Sequence, residues 1–383
     1  MYDRFHNFVS IFAVITAVVL ALLFAAVAIE YRPEITGSGS NDLIGWQTNT
    51  SKSLIQLDEL LAGGPSKDDI PAIDAPEFET PFDVLRWLPD REPVISVRLG
   101  KTARAYPLQI LIWHEIINDR IEGVPIAVTF CPLTYSPLVF KRTLKGRTLT
   151  FGVTGFLRNS GLIMYDRQTE TMWQQFTGRA LVGELAGLQL EQIPSQLISF
   201  GQFTQTNKNS RVLSRQTGYR RPYGENPYLG YDDASGLPVM FEGRVLAALP
   251  PMEKVIAVNI DGLPVAYPCF LTSSKRVIND EICDRPIVVF HNDGAVSALD
   301  RQWIRNSRHT GSTAVFSRIL GKHRLTFAYD GKYFIDMQTR SVWTITGKAI
   351  NGPLTGRQLT PVNHKNCFAF AWLVFNPKTQ IYK

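Results

Sequence analysis

The sequence predicts a mainly β (α+β) fold: two tandem, duplicated β-rich domains with a few short helices, preceded by one N-terminal transmembrane helix. The first observation is an internal repeat, because four segments of the N-terminal half recur 161 positions later. Segments 94–97, 105–107, 118–119 and 125–128 return as 255–258, 266–268, 279–280 and 286–289. A repeat this long indicates a duplicated domain, since solenoid units run to a few tens of residues.

The length of 383 residues accommodates two domains and an extension. We predict six regions along the chain: a short tail (1–7), a membrane anchor (8–29), a linker with a short helix and an extended strap (30–82), a first repeat domain (83–216), a connector rich in Tyr, Pro and Gly (217–252) and a second repeat domain (253–383). The formal charge of +6 is modest, and no basic block stands out in the sequence. A nucleic-acid partner is therefore not expected.

The predicted anchor is an uncharged stretch at 8–29. Its length matches the roughly 20 helical residues that cross a bilayer core. A cleaved signal peptide is the alternative, because 26–28 offers a small-x-small site, although apolar signal regions usually run to only about 7–15 residues. We expect an uncleaved single-pass anchor with the membrane as its partner and the bulk of the chain outside the cytoplasm.

Two of the four cysteines support that location. Cys269 and Cys283 both belong to the second repeat, and their counterparts in the first are Leu108 and Glu122. Because they are present together in one copy and absent together from the other, we predict a disulfide between them. Such a bond persists outside the reducing cytosol, which favours a periplasmic or extracellular location. Two unrelated buried thiols are the alternative.

The linker is predicted to hold a helix at 54–62, opened by the capping pattern of Ser53 and Gln56. Residues 67–74, the strap, lack a helical period and should run extended across the first domain. Each repeat then begins with a hairpin, clearest at 255–260 and 263–267 around an Asp-Gly turn. A β-branched buried strand follows at 125–130 and at 286–290, and further short strands complete a β-dominated pattern.

Candidate site residues come from differences between the repeats. The first repeat holds His114, Glu115 and Cys131. At the equivalent positions the second repeat has Lys275, Arg276 and Asn292. The shared fold does not require these residues, since the other copy replaces them. His291 precedes the counterpart of Cys131 by one position and could face the first repeat's loop. In contrast, Asp166, Thr169 and Trp173 recur as Asp336, Thr339 and Trp343, which indicates a turn needed by the fold.

Three functions remain open for these candidates. Cys131, His114 and His291 would suit copper or zinc, which prefer thiolate and imidazole ligands, so a small-ligand or metal-binding module is our leading hypothesis. Cys131 could instead be an enzyme nucleophile paired with His114 and oriented by Glu115. The third hypothesis is a scaffold in which the histidine bonds a carbonyl and the cysteine is a small buried hydrophobe. No phosphate-binding loop, nucleophile elbow or dinucleotide motif occurs in the sequence.

The connector supplies further candidates. Tyr223, Tyr228 and Tyr231 alternate with glycines and prolines in the middle of the chain. Tyrosines in such a segment can fill a groove between domains with the hydroxyl paired, or they can line a ligand site. Both interpretations remain open at the level of sequence.

Six ordered motifs resemble the uncharacterised family DUF3179. They are the segments 63–74, 105–107, 113–119, 129–133, 164–169 and 227–231, and the likeness continues to 368–372. The resemblance implies a secreted or membrane-anchored protein and no assigned activity. The family pattern at the central loop is Cys-Pro-Leu-Cys, whereas this chain has Thr134 at the second position. That departure argues against a two-thiol redox or metal role.

Overall fold

The computed structural model describes residues 43–241, 243 and 248–383. The predicted anchor at 8–29 lies outside the described residues. Within the described ranges, no helix combines the length and apolar character needed to cross a membrane.

The segment before the first repeat departs from prediction in two places. The strap is not extended throughout, because residues 67–69 form a turn in which the Asp69 N–H donates to the Ser66 carbonyl at 3.1 Å. The expected helix at 54–62 is only a 3-10 turn, Leu57–Glu59, in which the backbone N–H of Gln56 donates to the Glu59 carboxylate at 2.9 Å. Strand β1 (Leu61–Ala62) follows immediately and pairs with a strand of the first repeat. A helix of this length is marginal alone, so strand pairing outcompetes it. Strand β2 (Phe78–Glu79) and helix α1 (Pro81–Val84) complete this region.

The first repeat contains fourteen short strands and two helices. In chain order they are β3 (Pro93–Leu99), β4 (Thr102–Pro107), α2 (Leu108–His114), β5 (Ile116–Ile121), β6 (Val124–Cys131), β7 (Ser136–Lys141), β8 (Thr143–Leu144), β9 (Arg147–Thr148), β10 (Phe151–Arg158), β11 (Gly161–Asp166), β12 (Met172–Gln174), β13 (Arg179–Val182), β14 (Gln192–Ile193), β15 (Ser195–Ser199), α3 (Phe200–Thr206) and β16 (Arg211–Leu213).

The second repeat follows the same order with a longer connection after its buried strand. Its elements are β17 (Lys254–Ile260), β18 (Leu263–Pro268), α4 (Cys269–Lys275), β19 (Val277–Ile282), β20 (Arg285–Asn292), a 3-10 turn (Ile304–Asn306), β21 (Ser312–Ser317), β22 (Ile319–Leu320), β23 (His323–Arg324), β24 (Phe327–Tyr329), β25 (Phe334–Asp336), β26 (Val342–Trp343), β27 (Ala349–Asn351), β28 (Lys365–Phe368), α5 (Ala369–Phe375) and β29 (Gln380–Ile381). The mainly β class and the predicted hairpins are confirmed.

The two repeats share sheets. The largest sheet has the order β19-β20-β21-β15-β3-β4-β16-β2, so strands of both repeats lie side by side. Strand β15 joins them, because Leu197 lies opposite Ile95 on β3 and opposite Thr313 on β21. In the second repeat β28 pairs with β17, as β15 pairs with β3 in the first. The Phe368 N–H at the end of β28 donates to the Thr134 carbonyl, just before β7 of the first repeat, at 3.1 Å. The described part of the chain accordingly belongs to one compact unit.

The turn that both repeats retain is a structural element, as predicted. The Asp166 carboxylate accepts hydrogen bonds from the Thr169 N–H at 2.8 Å and from the indole N–H of Trp173 at 2.9 Å. Asp336 accepts the same pair from Thr339 and Trp343, at 2.6 and 2.9 Å. Both tryptophans are fully buried, so each turn orients one core indole.

The predicted disulfide is wrong in this structure, where all four cysteines are free. Cys269 begins α4 directly after Pro268, which pairs with Val255 at one end of the β17–β18 hairpin. The Cys283 thiol lies 3.6 Å from the carbonyl of Ile260, at the opposite end of that hairpin. Five residues of extended strand separate the two ends, about 17 Å. That is far beyond the Cα separation of a disulfide, which is at most about 7 Å.

Candidate functional site in the first repeat

Cys131 is the last residue of β6 and is almost completely buried. Its sulfur lies 4.0 Å from the carbonyl oxygen of Ser160. Burial is the main cause that raises the pKa of Cys131 to about 11, and the nearby charge of Glu115 acts in the same direction. The Thr134 hydroxyl, at the position of the family's second cysteine, bonds the Ser136 hydroxyl at 2.6 Å. The thiol is therefore protonated at neutral pH.

Glu115 lies at the end of α2 with a backbone φ of 55°. Its counterpart Arg276 ends α4 with a φ of 63°, so the fold imposes this left-handed conformation in both repeats. Only the side chains differ: Arg276 pairs with Asp293 at 2.7 Å on the surface, whereas Glu115 is only 6 % exposed. Between the described residues its carboxyl group makes no hydrogen bond, yet its oxygens are not among the buried atoms that lack a partner. Burial raises the pKa of Glu115 to about 8.

His114 is held by two hydrogen bonds. Its Nδ1 lies 2.7 Å from the carbonyl of Pro71 in the strap, and its Nε2 lies 2.6 Å from the hydroxyl of Tyr223. A carbonyl can only accept, so Nδ1 carries the proton and Nε2 accepts from the tyrosine. Burial lowers the pKa of His114 to about 4. The ring is thus neutral and has no free nitrogen for a metal.

The connector tyrosines lie against the first repeat. Tyr231 donates to the carbonyl of Leu133 at 3.1 Å, in the loop after Cys131. Burial raises the pKa of Tyr228 well above its usual value, and the charges of Glu115 and Cys131 add to this effect. Tyr228 packs against the hydrophobic core that contains Ile112 and Phe130. Tyr231 contacts the loop after β6 and Tyr223 contacts His114, and we call the three connector tyrosines the lid.

The strap joins several of the motifs to this lid. Asp74 accepts a hydrogen bond from the Asn118 amide at 2.7 Å and pairs with Arg167, while Asp68 accepts a hydrogen bond from Tyr165. A cleft of about 460 Å³ opens beside these side chains, with Pro71 and Tyr219 in its wall. We call Glu115, Cys131, His114 and the three connector tyrosines the strap site; none of them lines this cleft, which adjoins the site through Pro71, the partner of His114.

The structure does not bring together the three predicted metal ligands. His291 bonds the Thr272 hydroxyl at 2.9 Å and faces a different cleft, of about 370 Å³, in the second repeat. In the described ranges, no cluster of three or more His, Cys, Asp or Glu side chains could hold a metal ion. The expectation of copper or zinc at Cys131, His114 and His291 therefore finds no geometric basis.

The nucleophile arrangement is not formed either. Both ring nitrogens of His114 are engaged with Pro71 and Tyr223, so His114 has no free nitrogen to accept the Cys131 proton. Pro71, and not Glu115, orients the ring. A thiol with a raised pKa is a poor nucleophile at neutral pH because little thiolate is present.

The four cysteines differ in solvent exposure, so they should react with an alkylating reagent at different rates. In the folded protein at pH 7.5, iodoacetamide should label the exposed Cys283 and leave the buried Cys131 and Cys367 unmodified. Mass spectrometry of tryptic peptides checks the order, and labelling in denaturant provides the control. Modification of Cys131 at the same rate as Cys283 would contradict the buried, protonated state.

Sequence reasoning missed the residues that connect the strap to the sheet. Asn118 also donates to the carbonyl of Phe151 at 2.8 Å, and Arg167, Tyr165 and Asp68 line the cleft. The available signal was their position inside the motifs at 63–74, 113–119 and 164–169. Motifs distant in the sequence meet in one place, which separates a site from scattered structural residues.

A family model described as "Protein of unknown function (DUF3179)" matches residues 67–379. The chain belongs to this family. The matched range includes every residue of the strap site, all of the first repeat and the second repeat up to residue 379. No curated protein and no solved structure matches the chain.

Proposed function

We propose that this DUF3179 protein is a membrane-anchored, extracytoplasmic binding protein for a small ligand, with its site at Glu115 and Cys131 beneath the connector tyrosines. The observation that carries the proposal is the carboxyl group of Glu115, a residue only 6 % exposed, whose pKa is raised to about 8 by burial. Its counterpart Arg276 occupies the same backbone conformation on the surface, paired with Asp293. The fold therefore tolerates a solvated side chain here.

A buried polar group without a partner costs about 1–3 kcal/mol in proteins. A scaffold gains nothing from that cost, whereas a binding site recovers it when a ligand supplies the missing partner. With its pKa raised to about 8, the Glu115 carboxyl is protonated at pH 7 and can both donate and accept a hydrogen bond. The aromatic rings of Tyr228 and Tyr231 and the neutral Cys131 thiol provide apolar surroundings. These groups suit a small, largely apolar ligand that carries a hydrogen-bond acceptor.

The only support for the proposed anchor is the uncharged stretch at 8–29. Its length suits a single span. The free cysteines give no support for an oxidising compartment outside the cytoplasm. The ligand would reach the site past the strap, where Tyr219 lies 5.4 Å from the His114 ring and also lines the cleft.

Native mass spectrometry of the full chain in detergent tests the binding function. The wild-type protein, expressed in a bacterial membrane, is expected to retain a small-molecule adduct that Glu115→Met lacks. Arg276→Met is the matched control, because it changes the equivalent backbone position outside the proposed site, and it should keep the adduct. An adduct retained by Glu115→Met, or the absence of an adduct from all three proteins, would count against the proposal.

A further inference from the structure

A second cleft, of about 500 Å³, lies apart from the strap site and is formed by both repeats. The end of α3, the loop that follows it and the start of β16 form most of its wall, the β3–β4 hairpin adds a second side, and Lys348 and Ile350 of the second repeat complete it. It shares no residue with the cleft beside the strap. Five cationic side chains line it: Arg98, Lys101, Lys208, Arg211 and Lys348.

The positive charge in this cleft is only partly compensated, because Glu122 lies near Lys101 and Asp83 near Arg211 outside the lining. No Asp or Glu belongs to its lining, and none of the five cations forms an ion pair within the described ranges. Arg98 donates to the side-chain oxygen of Asn207, which is a neutral partner. Like charges gathered in one concavity repel one another, and the low-dielectric walls of a cleft concentrate their field. A bound anion would relieve this repulsion.

A buried hydroxyl provides an independent sign of a missing ligand. Ser210 is only 7 % exposed, lines the cleft, and its Oγ has no hydrogen-bond partner among the described residues. Buried hydroxyls normally have a partner, so an unpaired one needs an explanation. If the Ser210 side chain rotates toward the cleft, an oxyanion there would accept this hydrogen bond while the cations neutralise its charge.

We propose that this cleft binds a phosphate-bearing anion. Guanidinium groups such as Arg98 and Arg211 match phosphate oxygens through paired N–H donors, and lysines add compact positive charge. The volume leaves room for more than one phosphoryl group. The phosphate could belong to a free small molecule or to a lipid headgroup, and the recognition chemistry is the same in both cases.

Calorimetric titrations of the full chain in detergent and low salt, with inorganic pyrophosphate and with short-chain phosphatidylglycerol or phosphatidylcholine, test the proposal. The double variant Lys101→Glu/Lys348→Glu should weaken binding about tenfold or more, because each change replaces an attraction by a repulsion. The matched control is Lys145→Glu/Lys322→Glu, which makes the same change of charge at two exposed hairpin turns. It should bind nearly as well as the wild type.

Ser210→Ala tests the site without altering charge and should weaken binding about two- to tenfold through the lost hydrogen bond. Loss of pyrophosphate binding in the cleft variants alone supports a free phosphate ligand. The same pattern seen only with short-chain phosphatidylglycerol supports a headgroup. Equal losses in both double variants, an unchanged affinity in Ser210→Ala, or no binding of any probe to the wild type would overturn the proposal.

Discussion

Replacing Glu115 by Gln is expected to remove a large loss of stability that the wild-type protein suffers between about pH 4.5 and pH 8. Burial raises the pKa of Glu115 from 4.5 to about 8. A group with a raised folded-state pKa binds its proton more tightly when folded, so its contribution to stability is complete below the unfolded pKa and is lost as the pH rises through the folded pKa. Gln cannot ionise and does not have this dependence.

Across this pH range, a pKa difference of this size lowers the free energy of unfolding of the wild-type protein by about 3–5 kcal/mol. Urea denaturation of both proteins at several pH values measures it. Glu92, with a pKa raised to about 7 by burial, and His114 and His291, with pKa values lowered to about 4, also change stability with pH. Their contributions cancel when Glu115→Gln is compared with the wild type.

Arg276→Gln is the control for the shared backbone position and should follow the pH curve of the wild type. If the difference between Glu115→Gln and the wild type stays constant from pH 5 to pH 8, the carboxyl is not held protonated, and the description of the site is wrong.

The second large effect is expected at Asp232, a fully buried carboxylate between the connector and the second repeat. Lys254 pairs with it at 2.6 Å, Arg308 at 2.9 Å, and the Ser297 hydroxyl donates to it. Burial alone would raise the pKa of Asp232, but the charge of Lys254 and these hydrogen bonds lower it overall. Asp232→Ala leaves the largely buried Lys254 ammonium without its partner. We expect a loss of about 3–5 kcal/mol in the free energy of unfolding.

Urea denaturation at pH 7 measures this loss, and Asp261→Ala is the control. Asp261 pairs with Arg285 at 2.7 Å, but both side chains are largely exposed, so their pair should contribute only about 0–1 kcal/mol. Similar losses in the two variants would show that burial does not determine the strength of the Asp232 pair.

Local sequence patterns predicted the local structure well. The Asp-Gly turn after Ile260, the strand of β-branched residues at β6 and the paired turns at Asp166 and Asp336 all occur as expected. The sharing of sheets could not be predicted, because β15 reaches β21 through pairing between residues more than a hundred positions apart. The same kind of distant pairing converts the predicted helix at 54–62 into a turn and a strand.

Comparison of the two repeats identified candidate site residues but not the residues that they contact. It singled out Glu115, which the structure shows buried beside Cys131, yet it also joined His291 to a site that lies elsewhere. It paired Cys269 with Cys283 because both are absent from the first repeat, although a hairpin's length separates them. The basic residues of the second cleft are dispersed along the sequence, so only the fold gathers Arg98, Lys208 and Lys348.

The central claim is that Glu115 serves ligand binding although its burial lowers the free energy of unfolding. The free energy of unfolding of Glu115→Met at pH 7, compared with that of the wild type without added ligand, tests this claim most directly. Met has a similar size and removes the buried carboxyl group, so we predict a gain of about 1–3 kcal/mol. A variant less stable than the wild type by a similar amount would show that Glu115 stabilises the fold, which would contradict the claim.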